Sequence, residues 1–244
     1  MGIKVIVNGA KGRMGSLAVQ AITAAKHLAC VRALSKEDYL EQAIHATGAE
    51  VVLDLTTANS VFSNSQKIIN AGAYPVIGTS GLLPEQIMEL KQLAQQKNIG
   101  GLIVPNFSIG AVLMMQFARQ AAAYFSEVEI IEKHHQGKLD APSGTAIKTA
   151  ELIAESRCQS PNQRQEKVTI PGARGGMVRE IPIHSLRLPG YLAAQEVIFG
   201  GNSETLRLCH DTSHRDCFMP GIILACQKVK ELDQLQYGLE FVLN

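Results

Sequence analysis

Two imidazoles, an ammonium and a helix-start signal lie within fifteen residues, Glu132 to Ala146. His134 and His135 exchange protons near neutral pH, which Lys138 and Asp140 do only after a large pKa shift. Asp140, Pro142 and Ser143 are cap and first-turn residue types, and Ile147, Ala150, Ile153 and Ala154 continue at helical spacing. The backbone amides of Ser143, Gly144 and Thr145 would then point out of the helix start, at the positive end of its dipole. Such a terminus favours a carboxylate or phosphate, and Gly144 lets it approach the backbone. Lys138 adds a full charge. The cluster reads as an anion clamp with an acid beside it. For two histidines alone the favoured reading is that they close a sheet edge, with Asp140 to Gly144 a plain turn. Lys138 and the Gly-Thr helix start weigh toward a site.

The elements that carry this cluster follow from its flanks. Val128-Glu129-Ile130-Ile131-Glu132 alternates as a half-buried strand does, so His134 to Lys138 should leave a sheet at its end. At the start of the chain, Ile3 to Asn8 forms an apolar strand that runs into Gly9-Ala10-Lys11-Gly12-Arg13-Met14-Gly15. Leu17, Ala18, Ala21 and Ile22 then show helical spacing. Strand, glycine turn and helix are the context of a dinucleotide pyrophosphate site, although the spacing is G-x-x-G-x-x-G and not the commoner G-x-G-x-x-G. Lys11 and Arg13 favour a phosphate there.

A second strand, about Leu28 to Leu34, ends at Ser35-Lys36-Glu37-Asp38, roughly 20 residues past the glycines, where the ribose is recognised. Ser35 and Lys36 suit the extra phosphate of NADPH. Glu37 or Asp38 would suit NADH, and all four residues would also serve to cap the next helix, Tyr39 to Ala46. Strands at Val51 to Leu55, Tyr74 to Ile77 and Gly101 to Val104 alternate with helices at Val61 to Ile69 and Pro84 to Gln96. This is a Rossmann-type, doubly wound parallel sheet. Gly78-Thr79-Ser80 stands at the carboxyl end of a strand, placed to meet the nicotinamide or its ribose, and Asn106 and Phe107 are again at a strand's carboxyl end.

From Ile109 the pattern changes. A helix over Val112 to Phe125 precedes the central cluster, whose own helix reaches about Arg157, and Gln159 to Lys167 reads as a loop. Ile170 to Gly176, Ile181 to Leu188, Glu196 to Phe199 and Thr205 to Leu208 then form an antiparallel or mixed sheet in a second, α+β domain. A last helix, about Arg215 to Glu231, and a strand at Gly238 to Val242 complete the chain. The fold class is α/β plus α+β.

The chain has 244 residues, net charge +1 and five cysteines without a C-x-x-C pair. Near-neutral charge gives no nucleic-acid footprint, and no apolar run reaches the roughly 18 residues of a membrane span. Ile3 opening a strand leaves no room for a signal peptide, and scattered odd cysteines fit free thiols, so a cytoplasmic location is expected. Cys209-His210-Asp211 with His214 matches no ligand spacing, and no metal site is read.

With these motifs assembled, the chain resembles the 4-hydroxy-tetrahydrodipicolinate (dihydrodipicolinate) reductase family nearly end to end. The most specific element is E-x-H-H-x-x-K-x-D-A-P-S-G-T-A at Glu132 to Ala146. The resemblance implies a dinucleotide-binding domain of residues 1–106 and 216–244, and a substrate-binding and oligomerisation domain of residues 107–215 that builds a homotetramer. It implies NADPH or NADH as cofactor and a small dicarboxylate as substrate; the preference for NADPH comes from Ser35 and Lys36 themselves. Gly9, Ala10, Lys11, Gly12, Arg13 and Met14 would hold the pyrophosphate. Gly78, Thr79, Ser80, Val104, Pro105, Asn106 and Phe107 would meet the nicotinamide side; Ser35 and Lys36 are assigned to the ribose end by their place after the second strand. His134 would be the proton donor and Lys138 a second acid or carboxylate partner, with His135, Gly144 and Thr145 as substrate ligands; the helix start itself adds Ser143 to these as a carboxylate ligand. The family's best-known members carry an acidic residue where this chain has Ser35-Lys36, which opens the nucleotide preference. An aspartate or homoserine dehydrogenase and a non-catalytic NADPH sensor are the rival readings. Neither requires His134 and Lys138 beside an anion-binding helix start.

Overall fold

The computed structural model describes residues 2–158 and 167–243; residues 159–166, most of the stretch read as a loop, lie outside the described residues. The chain divides into two compact units, Met1–Ile109 with Arg215–Asn244, and Gly110–His214.

In the first unit, β1 (Ile3–Asn8), β2 (Leu28–Leu34), β3 (Val51–Asp54), β4 (Tyr74–Ile77) and β5 (Gly101–Ile103) join a C-terminal strand, Leu235–Tyr237. Among the described residues these six strands form one parallel sheet, ordered C-terminal strand, β5, β4, β3, β1, β2. The helices α1 (Arg13–Ala24), α2 (Leu40–Thr47), α3 (Ala58–Asn70) and α4 (Pro84–Lys97) are the crossovers. Val5 to Val7 and Val51 to Leu53 are wholly buried, because helices cover both faces of a parallel sheet and leave no wet side to demand alternation. One apolar cluster joins Ile6, Leu34, Leu40, Ile44 and Ile68, and another joins Ile69, Ile77, Leu90 and Ile103. Truncating one of these, such as Ile68→Ala, should cost about 2–5 kcal/mol. Proline at the start of α4 and left-handed Asn98 just past its end set its length.

The end of the chain departs from expectation. The last strand is Leu235–Tyr237, and Leu239–Val242 is a 3-10 turn instead of a strand. The Gly238 N–H donates the final ladder bond to the Ile103 carbonyl at 2.9 Å, and its φ of +129° then turns the chain out of the sheet. The preceding helix is shorter than read: Met219–Lys228, flanked by 3-10 turns at Arg215–Phe218 and Val229–Glu231.

In the second unit, α5 (Ile109–Ala121) starts three residues before the apolar run that suggested Val112, since Ile109 and Gly110 already belong to its first turn. The strands are β6 (Glu127–His134), β7 (Gly176–Val178), β8 (Ile181–Arg187), β9 (Ala193–Gly201) and β10 (Glu204–Thr212), and the cluster helix is α6 (Gly144–Ser156). Among the described residues their order is β10-β9-β6-β8-β7. The sheet is mixed: β8 runs parallel to β6, and the other pairings are antiparallel. Of Ile170 to Gly176 only Gly176 enters a strand, because Ile170 to Gly175 close on themselves through Ala173 N to Ile170 O and Gly175 N to Gly172 O. Along β6, Val128, Ile130 and Glu132 are buried in phase, which puts a carboxylate where the alternation calls for an apolar side chain.

Candidate active site

In the first unit, β1 passes into α1 through a turn whose Gly9 and Ala10 amides both donate to the Leu34 carbonyl, at 3.0 and 2.9 Å. Gly9 has a φ of +88°, and a Cβ there would overlap the Leu55 carbonyl; a Cβ on Gly15 would overlap the Gly9 carbonyl oxygen. The N-cap of α1 is Gly12, and no acidic residue stands in its first turn. A helix start capped by glycine and free of carboxylates is disposed to hold an anion.

Beside it lies a cavity of about 590 Å³ that takes in Gly9, Lys11, Gly12, Ser35 and Lys36. Thr56, Asn64 and Lys67 also line it, and these were not singled out in the sequence. Ala10, Arg13, Met14, Gly78 to Ser80 and Val104 to Phe107 lie outside its lining. Ser35 Oγ donates to Asp38 Oδ2 at 3.0 Å and Asp38 accepts from the Ser35 amide at 2.8 Å, bonds that hold the Asp38 carboxyl below the usual carboxylate range. These residues fold a turn and do not cap α2, whose N-cap is Tyr39.

Asp54, wholly buried, collects the strand ends. Its Oδ1 accepts from Thr56 Oγ1 at 2.7 Å and Thr79 Oγ1 at 2.6 Å, and its Oδ2 from Asn64 Nδ2 at 3.0 Å. Thr79 is thereby fixed by its hydroxyl. Gly78 is packed against the Phe107 ring and Leu55, and Ser108 N donates to Asn106 Oδ1 at 2.9 Å.

In the second unit, His134 is the last residue of β6, and its Nδ1 is hydrogen-bonded to Glu132. Glu132 is wholly buried, and Arg187 grips both its oxygens, Nη2 to Oε1 at 2.8 Å and Nη1 to Oε2 at 3.1 Å. A second bond, Arg187 Nη2 to the Asp140 carbonyl at 2.7 Å, ties the loop after β6 to β8. Burial raises the Glu132 pKa, but hydrogen bonds from Arg187, Ser185 and His134 outweigh it and hold the carboxyl below its ordinary value. Burial pushes the His134 imidazole down; Glu132 opposes this, and the charges of Lys138 and Arg187 add to it.

Lys138 Nζ sits on the Asp140 carboxylate at 2.7 and 2.8 Å, a pairing that lowers the Asp140 pKa. His135 is exposed in the loop that follows β6. Ser143 is the N-cap of α6 and is itself buried, its Oγ accepting from Ala146 N at 3.2 Å. A Cβ on Gly144 would meet nothing within 4 Å, so the space before this helix start is open. From the helix side, Gln195 Nε2 donates to Thr149 Oγ1 at 2.8 Å and Thr149 Oγ1 to the Thr145 carbonyl at 2.7 Å, which fastens the first turns of α6 to β9.

Residues 3–107 match the family model described as dihydrodipicolinate reductase, N-terminus, and residues 110–243 the model described as dihydrodipicolinate reductase, C-terminus. The chain belongs to the dihydrodipicolinate reductase family. It is 57% identical over 243 residues to the 4-hydroxy-tetrahydrodipicolinate reductase of Legionella pneumophila (strain Corby), covering 100% of both chains. It is 51% identical over 243 residues to that of Coxiella burnetii (strain Dugway 5J108-111), again covering 100% of each. Among solved structures, the dipicolinate-bound dihydrodipicolinate reductase of Paenisporosarcina sp. TG-14 superposes with a TM-score of 0.93 at 42% identity, covering 100% of both chains. The family's two-part α/β and α+β architecture is therefore that of this chain.

Proposed function

We propose that the chain is an NAD(P)H-dependent oxidoreductase that reduces 4-hydroxy-tetrahydrodipicolinate to tetrahydrodipicolinate with loss of water, in lysine biosynthesis through diaminopimelate. The observation that carries this is His134, half-buried on Glu132 and followed by Lys138 and the open start of α6, in a chain matched end to end by reductases of that name. The glycine turn fits the cofactor, since its tight course depends on Gly9 and Gly15, where any side chain would collide with backbone and force the turn open.

A bound nicotinamide cofactor supplies hydride to the ring carbon that loses its hydroxyl. His134 donates a proton to the adjacent ring carbon or assists the departure of water. Lys138, Ser143, Gly144 and Thr145 take a substrate carboxylate, whose charge the helix terminus favours, with His135 a further ligand. Residues 1–106 and 216–244 serve the dinucleotide: Gly9 to Met14 its pyrophosphate, Gly78 to Ser80 and Val104 to Phe107 its nicotinamide side. Residues 107–215 serve the substrate.

For the nucleotide, Lys11, Lys36 and Lys67 face the cavity with Glu37, Asp38 and Glu41, a balance that accommodates both NADH and NADPH. Ser35 and Lys36 at the ribose end favour NADPH. The assembly read here is a homotetramer in the cytoplasm, built on the sheet face that carries Ile131, Ile198 and Met177, the last of them exposed.

The test is a steady-state assay of NADPH and NADH separately, with substrate made in situ from pyruvate and aspartate semialdehyde by the preceding synthase. Synthase-dependent oxidation is expected, faster with NADPH, and His134→Gln should lower kcat by roughly 10²-fold or more. Folded protein that binds NADPH and oxidises neither nucleotide would favour a sensor. Sedimentation of the full chain checks the tetramer.

A further inference from the structure

We propose that Glu132, clamped by Arg187, is the positioning residue of His134: it holds a proton on Nδ1 and so makes Nε2 the atom that exchanges a proton with substrate. This rests on the reductase reading above and adds to it a residue pair that His134 acts through. A carboxylate on a strand's inward face, with no exposure, is retained at such a position only if its charge is met. Here it is met on both oxygens by one guanidinium, the bidentate arrangement that fixes a carboxylate in place and in its ionised form. An ionised Glu132 can only accept, so the Nδ1 facing it must carry the hydrogen. The other ring nitrogen is left for chemistry, the logic by which a buried carboxylate orients a catalytic imidazole.

The neighbours explain why such a partner is needed. Around His134 stand Glu132 on its own strand, Arg187 on β8, and Lys138 and Asp140 in the loop, while β9 places uncharged Ala193 opposite and Gln195 beside Glu132. Two cations and burial all oppose the imidazolium, the form that must donate. Glu132 is the opposing charge in direct contact with the ring. In the transfer, the Nε2–H bond breaks and a C–H bond forms at the ring carbon next to the one that has received hydride, from the carbon–carbon double-bond pair of the enamine that hydride addition leaves, which restores the ring imine. The electron pair of that N–H bond stays on Nε2, the neutral ring keeps Nδ1–H on Glu132, and solvent restores the Nε2 proton. Arg187 keeps Glu132 from taking the proton itself and, through the Asp140 carbonyl, holds the loop that carries Lys138.

The experiment is nitrogen NMR of the full chain labelled at histidine, with His134 assigned by its loss in His134→Gln, alongside pH profiles of kcat and KM. The neutral His134 of the unmutated chain is expected as the Nδ1–H tautomer. In Glu132→Gln its titration midpoint should fall by about one pH unit. The same variant should lose roughly 10²-fold in kcat, with substrate KM changed less than about threefold. A predominant Nε2–H tautomer in the unmutated chain would overturn the proposal whether or not Glu132→Gln folds. So would a folded Glu132→Gln with an unmoved midpoint and full turnover. An Nδ1–H tautomer in a chain without reductase turnover would uphold the pairing and reject the activity, so the two failures are distinct.

Discussion

Asn8 Nδ2 donates to Asp54 Oδ2 at 2.9 Å, and both residues are buried, so the carboxyl ends of β1 and β3 are joined by their side chains as well as by the ladder. With Thr79 after β4 and Asn64 on α3 on the same carboxylate, one acceptor sets the walls on which a nucleotide would lie. In Asp54→Asn one oxygen becomes an amide donor facing donors, and at least one buried amide or hydroxyl loses its partner. A loss of about 1–3 kcal/mol in urea unfolding is expected, with a roughly tenfold weaker NADPH Kd. Unfolding and binding both unchanged would show the cluster to be dispensable.

Gly15 lies against the backbone of the turn it follows, because the place of its missing Cβ coincides with the Gly9 carbonyl oxygen. No flexible side chain is there to yield, so in Gly15→Ala the turn itself must shift. NADPH binding, followed by fluorescence, should weaken by at least about tenfold, while far-ultraviolet circular dichroism stays close to that of the parent. Retention of the parent Kd would separate the glycine turn from the pyrophosphate.

What could be read in advance follows the range of each interaction. Strand β2 matches its expected limits because an apolar run and polar punctuation mark it locally, and His134 and Lys138 stand out by residue type. Arg187 does not stand out: it meets Glu132 across 55 positions, through a parallel β6–β8 register that alternation alone cannot distinguish from an antiparallel one. The clue to Glu132 was present in its phase with Val128 and Ile130. Asp54 was hidden differently, at the end of an apolar strand buried on both faces, where its carboxylate has no pattern to break. Lys67, three residues beyond Asn64, shares with it a helix face that spacing shows as polar and that only the folded chain shows to line a cavity.

Cys226 is wholly buried, and burial pushes its thiol up to about 12. Thiolate is the reactive form, so this cysteine should resist alkylation at pH 8 in the native protein. Exposed Cys158 should label first by peptide mapping, and Cys226 only after urea. Labelling of Cys226 at the rate of Cys158 would mean that the C-terminal helix opens far more readily than its packing allows.

Acid should weaken the fold in two stages, and the sign follows from which state binds the proton. Burial depresses His134 and His210, so between the ordinary histidine pKa near 6.5 and their lower folded values the unfolded chain binds more protons. Stability present above pH 6.5 is therefore lost as pH falls through that window. Glu129, Glu132 and Asp140 are also depressed. For Glu129 and Glu132, burial acts upward but is outweighed, by Arg174 and His184 and by Arg187 respectively, whereas for Asp140 the Lys138 bond leads. Their contribution is full above the ordinary carboxylate range of about 4 to 4.5 and is lost as pH falls through the lower folded values. Urea midpoints should thus be level between about pH 7 and 8, decline gently below 6.5 and fall more steeply below about 4.5; above about 8.5 the buried Cys226 thiol, which ionises only on unfolding, should lower them again. A midpoint that rose between pH 7 and 5 would require these histidines to gain protons more readily in the folded chain, contrary to their burial.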